Sequence, residues 1–283
     1  TARNGMRYLS LYIVVVLGYV VAPVFAQSKA QIVGDDLQPQ LERNTSKLNS
    51  QKIIVKGDNA RMRMAISSIA GSIARELREV LAEKDEFSDG RTVYIEMYEE
   101  GQVKGPLQVL PQVAPFEDSD LVIRLLVDTH RPLERTVLEH GVMEVLLYRR
   151  GLAEVKTLAE GQEALVPAWL SNGLLAAAEW EKDSSKRRVY EHLMKRPDLF
   201  TLERTMQTSG RELLGFDSTN RFFYRASSCA LVLSMLRQEN GEAAMQSFIN
   251  EVVLFEGDHT ELIRKHFPIV NQGSKGIQKM WSL

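Results

Sequence analysis

The chain has 283 residues, 44% of them hydrophobic, and a formal net charge of −2. That length supports one large domain or two small ones, and that apolar share supports a sizeable core and excludes wholesale disorder. The near-neutral charge excludes the basic face that nucleic-acid binding requires, and the single cysteine, Cys229, excludes both an internal disulfide and a cysteine-based metal cluster. In chain order the first feature is a targeting segment. Arg3 and Arg7 give a positive start, Leu9 to Val21 is an apolar run, and Val24 and Ala26 place small residues where signal peptidase cuts. The run is shorter than the ~20 residues that span a bilayer. Residues 1–26 are therefore expected to be a signal peptide, with the true start at Met6. The mature protein is expected to be exported, periplasmic or secreted, with no membrane attachment after cleavage. An uncleaved N-terminal anchor is the alternative.

Residues 27–50 are polar without a sustained apolar period and read as a flexible linker. The domain proper is expected over 51–283. "KIIVKG" (52–57) predicts a short strand. Met62, Ile66, Ile69, Ile73, Leu77 and Leu81 recur in steps of three and four, which predicts a helix over 59–82 with Asp58 as its cap. "RTVYIEMYEE" (91–100) alternates as a half-buried strand. Gly101 and Gly105 punctuate a hairpin-like turn into "LQVLPQVAP", and "SDLVIRLLVD" (119–128) is a further strand. Helices follow over Leu133 to Arg150, with Gly151 just past the end, and from Pro167 through "PAWLSNGLLAAAEWEKD". Further helices are expected over 184–195, 221–238, 241–254, 258–266 and 274–282. A strand-rich part (51–130) before a helical part (131–283) is an α+β order, without the alternation of a doubly wound sheet. Lys186-Arg187-Arg188 reads as a solvated helix face, and Cys229 as a small buried hydrophobe.

Within the 133–150 helix lies "EHGVMEVLLY" (139–148), the outline of H-E-x-x-H with two of its three functional letters changed. In that motif two histidines four apart on one helix face bind Zn²⁺, and the glutamate after the first acts as general base. Here His140 holds the first position, Gly141 replaces the base, and Glu144 replaces the second histidine. Positions 140 and 144 still share a face. The other histidines, His130, His192, His259 and His266, show no metal-like spacing, and no Gly-rich phosphate loop, nucleophile elbow or C-x-x-C occurs.

Downstream, "VPAWLSNGLLAAAEW" (166–180) is similar to the "P-x-W-L-x-E-G-L-A-E-Y" helix of gluzincin-type metallopeptidases, the peptidase MA-like superfamily. Pro167, Trp169, Leu170, Gly173 and Leu174 match, and Asn172 stands at the position of the third ligand. "FYRASSCALVLSMLRQENGEAAMQSFINEV" (223–252), "GDHTELIRKHFP" (257–268) and "IQKMW" (277–281) resemble the helices that follow in bacterial members. The resemblance covers 118–283, with a looser fit over 52–97, and implies a zincin-like α+β fold: a small strand-helix-strand part followed by a mostly helical half.

The departures from the pattern decide what that implies for function. Of the base and three ligands only His140 is unchanged, whereas a zinc site needs three or four good donors. Gly141 cannot accept a proton. The expectation is a degenerate zinc site with no catalytic residue and no cofactor, zinc being held weakly if at all. The remnant positions are His140, Gly141, Glu144 and Asn172, and the cleft candidates are Trp169, Glu179 and Tyr224. Each also has an ordinary structural reading: a packed His140, a Glu144 paired with an arginine or with His140, and core roles for Trp169, Trp180, Met62, Met64 and Met97. The expected role is that of a non-catalytic pseudopeptidase binding a peptide or protein partner in the cell envelope. One alternative is an active hydrolase with a non-standard site at His140 and Glu144. Another is a structural envelope protein held by an uncleaved anchor.

Overall fold

The computed structural model describes residues 45–48, 52–83, 90–98, 107–115, 120–196 and 199–267. The signal segment 1–26, most of 27–50, the turn at Gly101 and Gly105 and the helix expected over 274–282 lie outside them. No helix among the described residues is long and apolar enough to cross a membrane.

The order is α+β. Five strands, β1 (Thr45–Leu48), β2 (Ile53–Lys56), β3 (Val93–Tyr98), β4 (Val109–Pro115) and β5 (Leu121–Asp128), are interrupted once by helix α1 (Ala60–Val80). Helices then take over: α2 (Arg135–Gly151), α3 (Ala168–Lys182), α4 (Ser184–Met194), α5 (Leu202–Gln207), α6 (Gly210–Leu214), α7 (Ser218–Leu236), α8 (Gly241–Val252) and α9 (His259–His266). The strands form one mixed sheet in the order β1-β2-β3-β5-β4. β2, β3 and β5 run parallel, and β1 and β4 lie antiparallel at the two edges. β1 comes from the stretch read as a linker, so Thr45–Leu48 pairs with β2. The hairpin expected between β3 and β4 is not formed: β5 inserts between them and pairs with both. Local pattern marked these segments as extended, but not which strand is the neighbour of which.

The alternation does fix the faces. Ile53, Val55, Val93, Ile95, Ile123, Leu125 and Val127 are buried on one side of the sheet, while their chain neighbours are only half-buried. α1 and α2 pack on the buried side. In α1 the expected stripe holds, with Ile66, Ile73, Leu77 and Leu81 fully buried and Met62 and Ile69 partly so. Met64 falls off that stripe and is exposed, contrary to its core reading. The cap is Asn59, not Asp58: its Oδ1 accepts the N–H of Met62 at 3.0 Å.

α3 packs against α1 and α2 on one side and against α7 on the other. Two glycines set these approaches. A Cβ on Gly141 would lie 2.4 Å from Cγ1 of Val109 and 2.9 Å from Cδ1 of Leu125, so α2 sits directly on β4 and β5 there. A Cβ on Gly173 would lie 2.5 Å from the carbonyl oxygen of Ser228, so α3 and α7 cross in near backbone contact. Gly151 belongs to the helix, and Leu152 forms the C-cap instead. α8 closes the core with Trp169 against Phe248, ring centroids 5.9 Å apart. The core is one cluster running from Ile53 in the sheet to Phe267 beyond α9.

Candidate functional site

His140 and Glu144 are one helical turn apart on α2, and each is half-buried. Every other residue from Gly141 to Arg149 is buried, since α2 lies between the sheet and the outer helices. This placement determines the charges. Burial pushes the imidazole of His140 down to about 3, and the charge of Arg225 adds to the effect. It is therefore neutral at pH 7. Burial pushes the carboxyl of Glu144 up to about 7, opposed by a hydrogen bond that Tyr148 Oη donates to its Oε1 at 3.1 Å. The partner of Glu144 is thus a tyrosine on its own helix, not the arginine or histidine expected. Burial also raises the Tyr148 phenol, so the Tyr148–Glu144 bond keeps its proton on the tyrosine.

Asn172, on α3, is 6% exposed. Its side-chain amide donates to the carbonyl of Ala168 at 2.8 Å, which turns it back along its own helix. Gly141 does not stand over open space where a base could be restored. Its Cα faces Val109 and Leu125, and a longer side chain there would have to displace β4 or β5.

The polar contacts between helices are made two turns further along α3. Oε1 of Glu179 lies 3.0 Å from Nη2 of Arg225 on α7, and Oε2 accepts the hydroxyl of Tyr190 on α4 at 2.8 Å. One carboxylate thereby links α3, α4 and α7, with the Arg225 side chain only 16% exposed. The same guanidinium acts on His140 from across the helix interface. Sequence reasoning named Glu179 but missed Arg225, Tyr190 and Tyr148. A signal for Arg225 was present: it is the only charged residue in "FFYRASSCALVLSML" (222–236), so its charge had to find a partner or the surface.

Trp169 and Tyr224, read as cleft candidates, are both 0% exposed. Trp169 packs on Phe248. Tyr224 meets Phe200 and Phe216 edge-on, centroids 5.9 and 6.2 Å away, in the corner formed by α5, α6 and α7. Neither ring offers a surface to a ligand. Cys229 is fully buried, and burial pushes its thiol up, out of the range of a reactive nucleophile.

The fold family suggested by the sequence would place Zn²⁺ between His140, residue 144 and residue 172. The residues present do not fit it. Among the described residues no three His, Cys, Asp or Glu side chains come together in a metal-binding group. Glu144 is engaged by Tyr148, and Asn172 by Ala168. What the arrangement can do is narrower: a neutral imidazole, a carboxyl titrating near neutrality and a held guanidinium lie along the seam of α2, α3 and α7. No protein-family model matches the chain, and no characterised protein matches it in sequence.

Proposed function

We propose that the protein is an exported, non-catalytic relative of the gluzincin-type peptidases, whose former zinc seam serves to bind a peptide or protein segment. One observation carries the reading. The two positions that would complete a ligand set beside His140 are each drawn to a neighbour on their own helix: Oε1 of Glu144 accepts the Tyr148 hydroxyl, and the amide nitrogen of Asn172 donates to the Ala168 carbonyl. A helix order of α2, a loop with Pro167, α3 and then α7–α8 supports the kinship. So does the conjunction of His140 with the Trp169-Leu170 and Gly173-Leu174 pattern on the adjoining helices. Export rests on the leader-like run ending at Ala26.

A second reading has one observation in its favour. A carboxyl at about 7, as on Glu144, suits general acid–base chemistry near neutral pH. A hydrolase built on His140 and Glu144 would use it. The two readings separate in one experiment, elemental analysis of the purified protein alongside incubation with a mixed peptide library. The binding reading expects substoichiometric zinc and no cleavage above background. Stoichiometric zinc with chelator-sensitive cleavage that His140→Ala abolishes would replace it with the hydrolase.

A further inference from the structure

Among the described residues β4 is the end strand of the sheet beyond β5, and its register fixes which main-chain groups face outward. The N–H of Asp128 donates to the carbonyl of Gln108 at 2.8 Å, and the pairing continues Val109↔Val127, Leu110↔Leu126, Pro111↔Leu125, Gln112↔Arg124, Val113↔Ile123, Ala114↔Val122 and Pro115↔Leu121. In an antiparallel pair, residues that exchange hydrogen bonds with the partner alternate with residues whose N–H and C=O point away. Gln108 belongs to the first set, so 110, 112 and 114 do too. Residues 109, 111, 113 and 115 present their groups to the outer edge. Residues 111 and 115 are prolines. The edge therefore offers the carbonyls of all four residues but the N–H groups of Val109 and Val113 alone.

This edge runs beside α2, because the side chain of Val109 is one against which Gly141 of α2 packs. A segment lying there in extended form would be held mainly by main-chain bonds to β4. With the segment centred on Pro111, its facing carbonyl would meet a ring nitrogen that has no proton. A buried carbonyl without a donor is costly, and proline is one of the devices that close sheet edges to added strands.

We infer that Pro111 and Pro115 close the β4 edge to strand addition, so that a partner held beside α2 is gripped through side chains and not as a further strand. The inference rests on the binding role proposed for this seam and narrows its partner to one that does not enter as a continuous β-strand. It also accounts for the outward placement of both prolines, where the missing N–H removes nothing from the β4–β5 ladder.

The test is amide hydrogen exchange at Val109 and Val113 in the intact protein. It is run with and without a capped heptapeptide of alternating threonine and valine, a strong and otherwise featureless strand former. In the natural protein the peptide is expected to leave both rates unchanged. In the Pro111→Val, Pro115→Val double variant it is expected to slow both at least tenfold at saturation. Pro111→Val alone, which restores the donor at the centre of the edge, serves if the double variant does not fold. Slowing in the natural protein would overturn the inference. So would the absence of slowing in every folded variant, since the prolines would then not be what closes the edge. Neither result depends on zinc content or on library cleavage, so a failure here is distinguishable from a failure of the binding role itself.

Discussion

At the scale of single residues, the two titrating groups of α2 move in opposite directions for the same reason. Each loses solvation for its charged form, so His140 falls from 6.5 to about 3 and Glu144 rises from 4.5 to about 7. Between pH 4.5 and 6.5 the unfolded chain holds the proton on the histidine and the folded chain holds it on the glutamate. The numbers of protons match, and the pair contributes no slope to stability. Below pH 4.5 the unfolded state binds one more proton than the folded state, and stability falls as pH falls toward 3. Above pH 6.5 the folded state binds one more, and stability falls as pH rises to about 7. Single substitutions uncover the halves. Glu144→Gln leaves His140 alone, so this part of stability should climb steadily from about pH 3 to 6.5. His140→Gln leaves Glu144 alone, so it should decline from pH 4.5 to 7, by up to about 3 kcal/mol. Urea titrations across pH 4–8 read both slopes, and identical profiles for the two variants would show that neither group is desolvated. At the neighbouring position, Gly141→Ala places a methyl group against Val109 and Leu125. The overpacking, about 1–3 kcal/mol, should outweigh the ~1 kcal/mol gained in helix propensity. A lowered urea midpoint is expected, partly recovered by adding Val109→Ala. An unchanged midpoint would mean that α2 can lift off the sheet freely.

At the scale of elements, Arg225 joins helices that are far apart in sequence. It pairs with Glu179 of α3 from α7, and Glu179 also takes the hydroxyl of Tyr190 of α4. Substitution by Met keeps the aliphatic bulk and removes the charge. Glu179 retains Tyr190 and some access to water, so the expected loss is about 1–2 kcal/mol, less than for a fully buried pair. The more specific effect falls on α2. Without Arg225 the imidazole of His140 should titrate higher, yet still below 6.5, because burial is the larger of its two causes. An NMR titration of that ring in the Arg225→Met protein measures it, and an unmoved pKa would show that the seam between α2 and α7 is wider than described. β4 shows the limit of reading elements from sequence. The run "LQVLPQVAP" reads as the segment after a hairpin-like turn, but Pro111 and Pro115 acquire meaning only once the pairing with β5 shows which way their nitrogens point.

At the scale of the whole molecule, strand-rich and helical parts share one core, and α2 belongs to both. A fragment beginning at residue 131 would expose the side of α2 that meets Val109 and Leu125 and remove α1 from beneath α3. It should be unstable alone, binding a hydrophobic dye and lacking a cooperative transition. A sharp unfolding transition from that fragment would show two cores. The chain itself determined a good deal. Local sequence pattern placed α1, α2, α3, α4, α7, α8 and α9, and β-branched or alternating runs placed β2, β3 and β5, since such patterns record which residues lose water. Composition and the lone Cys229 excluded a disulfide framework, and the changed letters around His140 and Asn172 marked a departure from a zinc motif. Short elements escaped: α5 and α6 have 6 and 5 residues, too few to display a period. Tertiary structure alone decided the rest. Insertion of β5 between β3 and β4, the burial of Trp169 and Tyr224, and the bond from Tyr148 to Glu144 all follow from which surfaces meet. So do the reach of Arg225 to Glu179 and the use of Gly141 as a contact with the sheet. A local pattern reports the face a residue turns inward, whereas its partner there comes from a segment up to dozens of residues away, and no local repeat encodes that pairing.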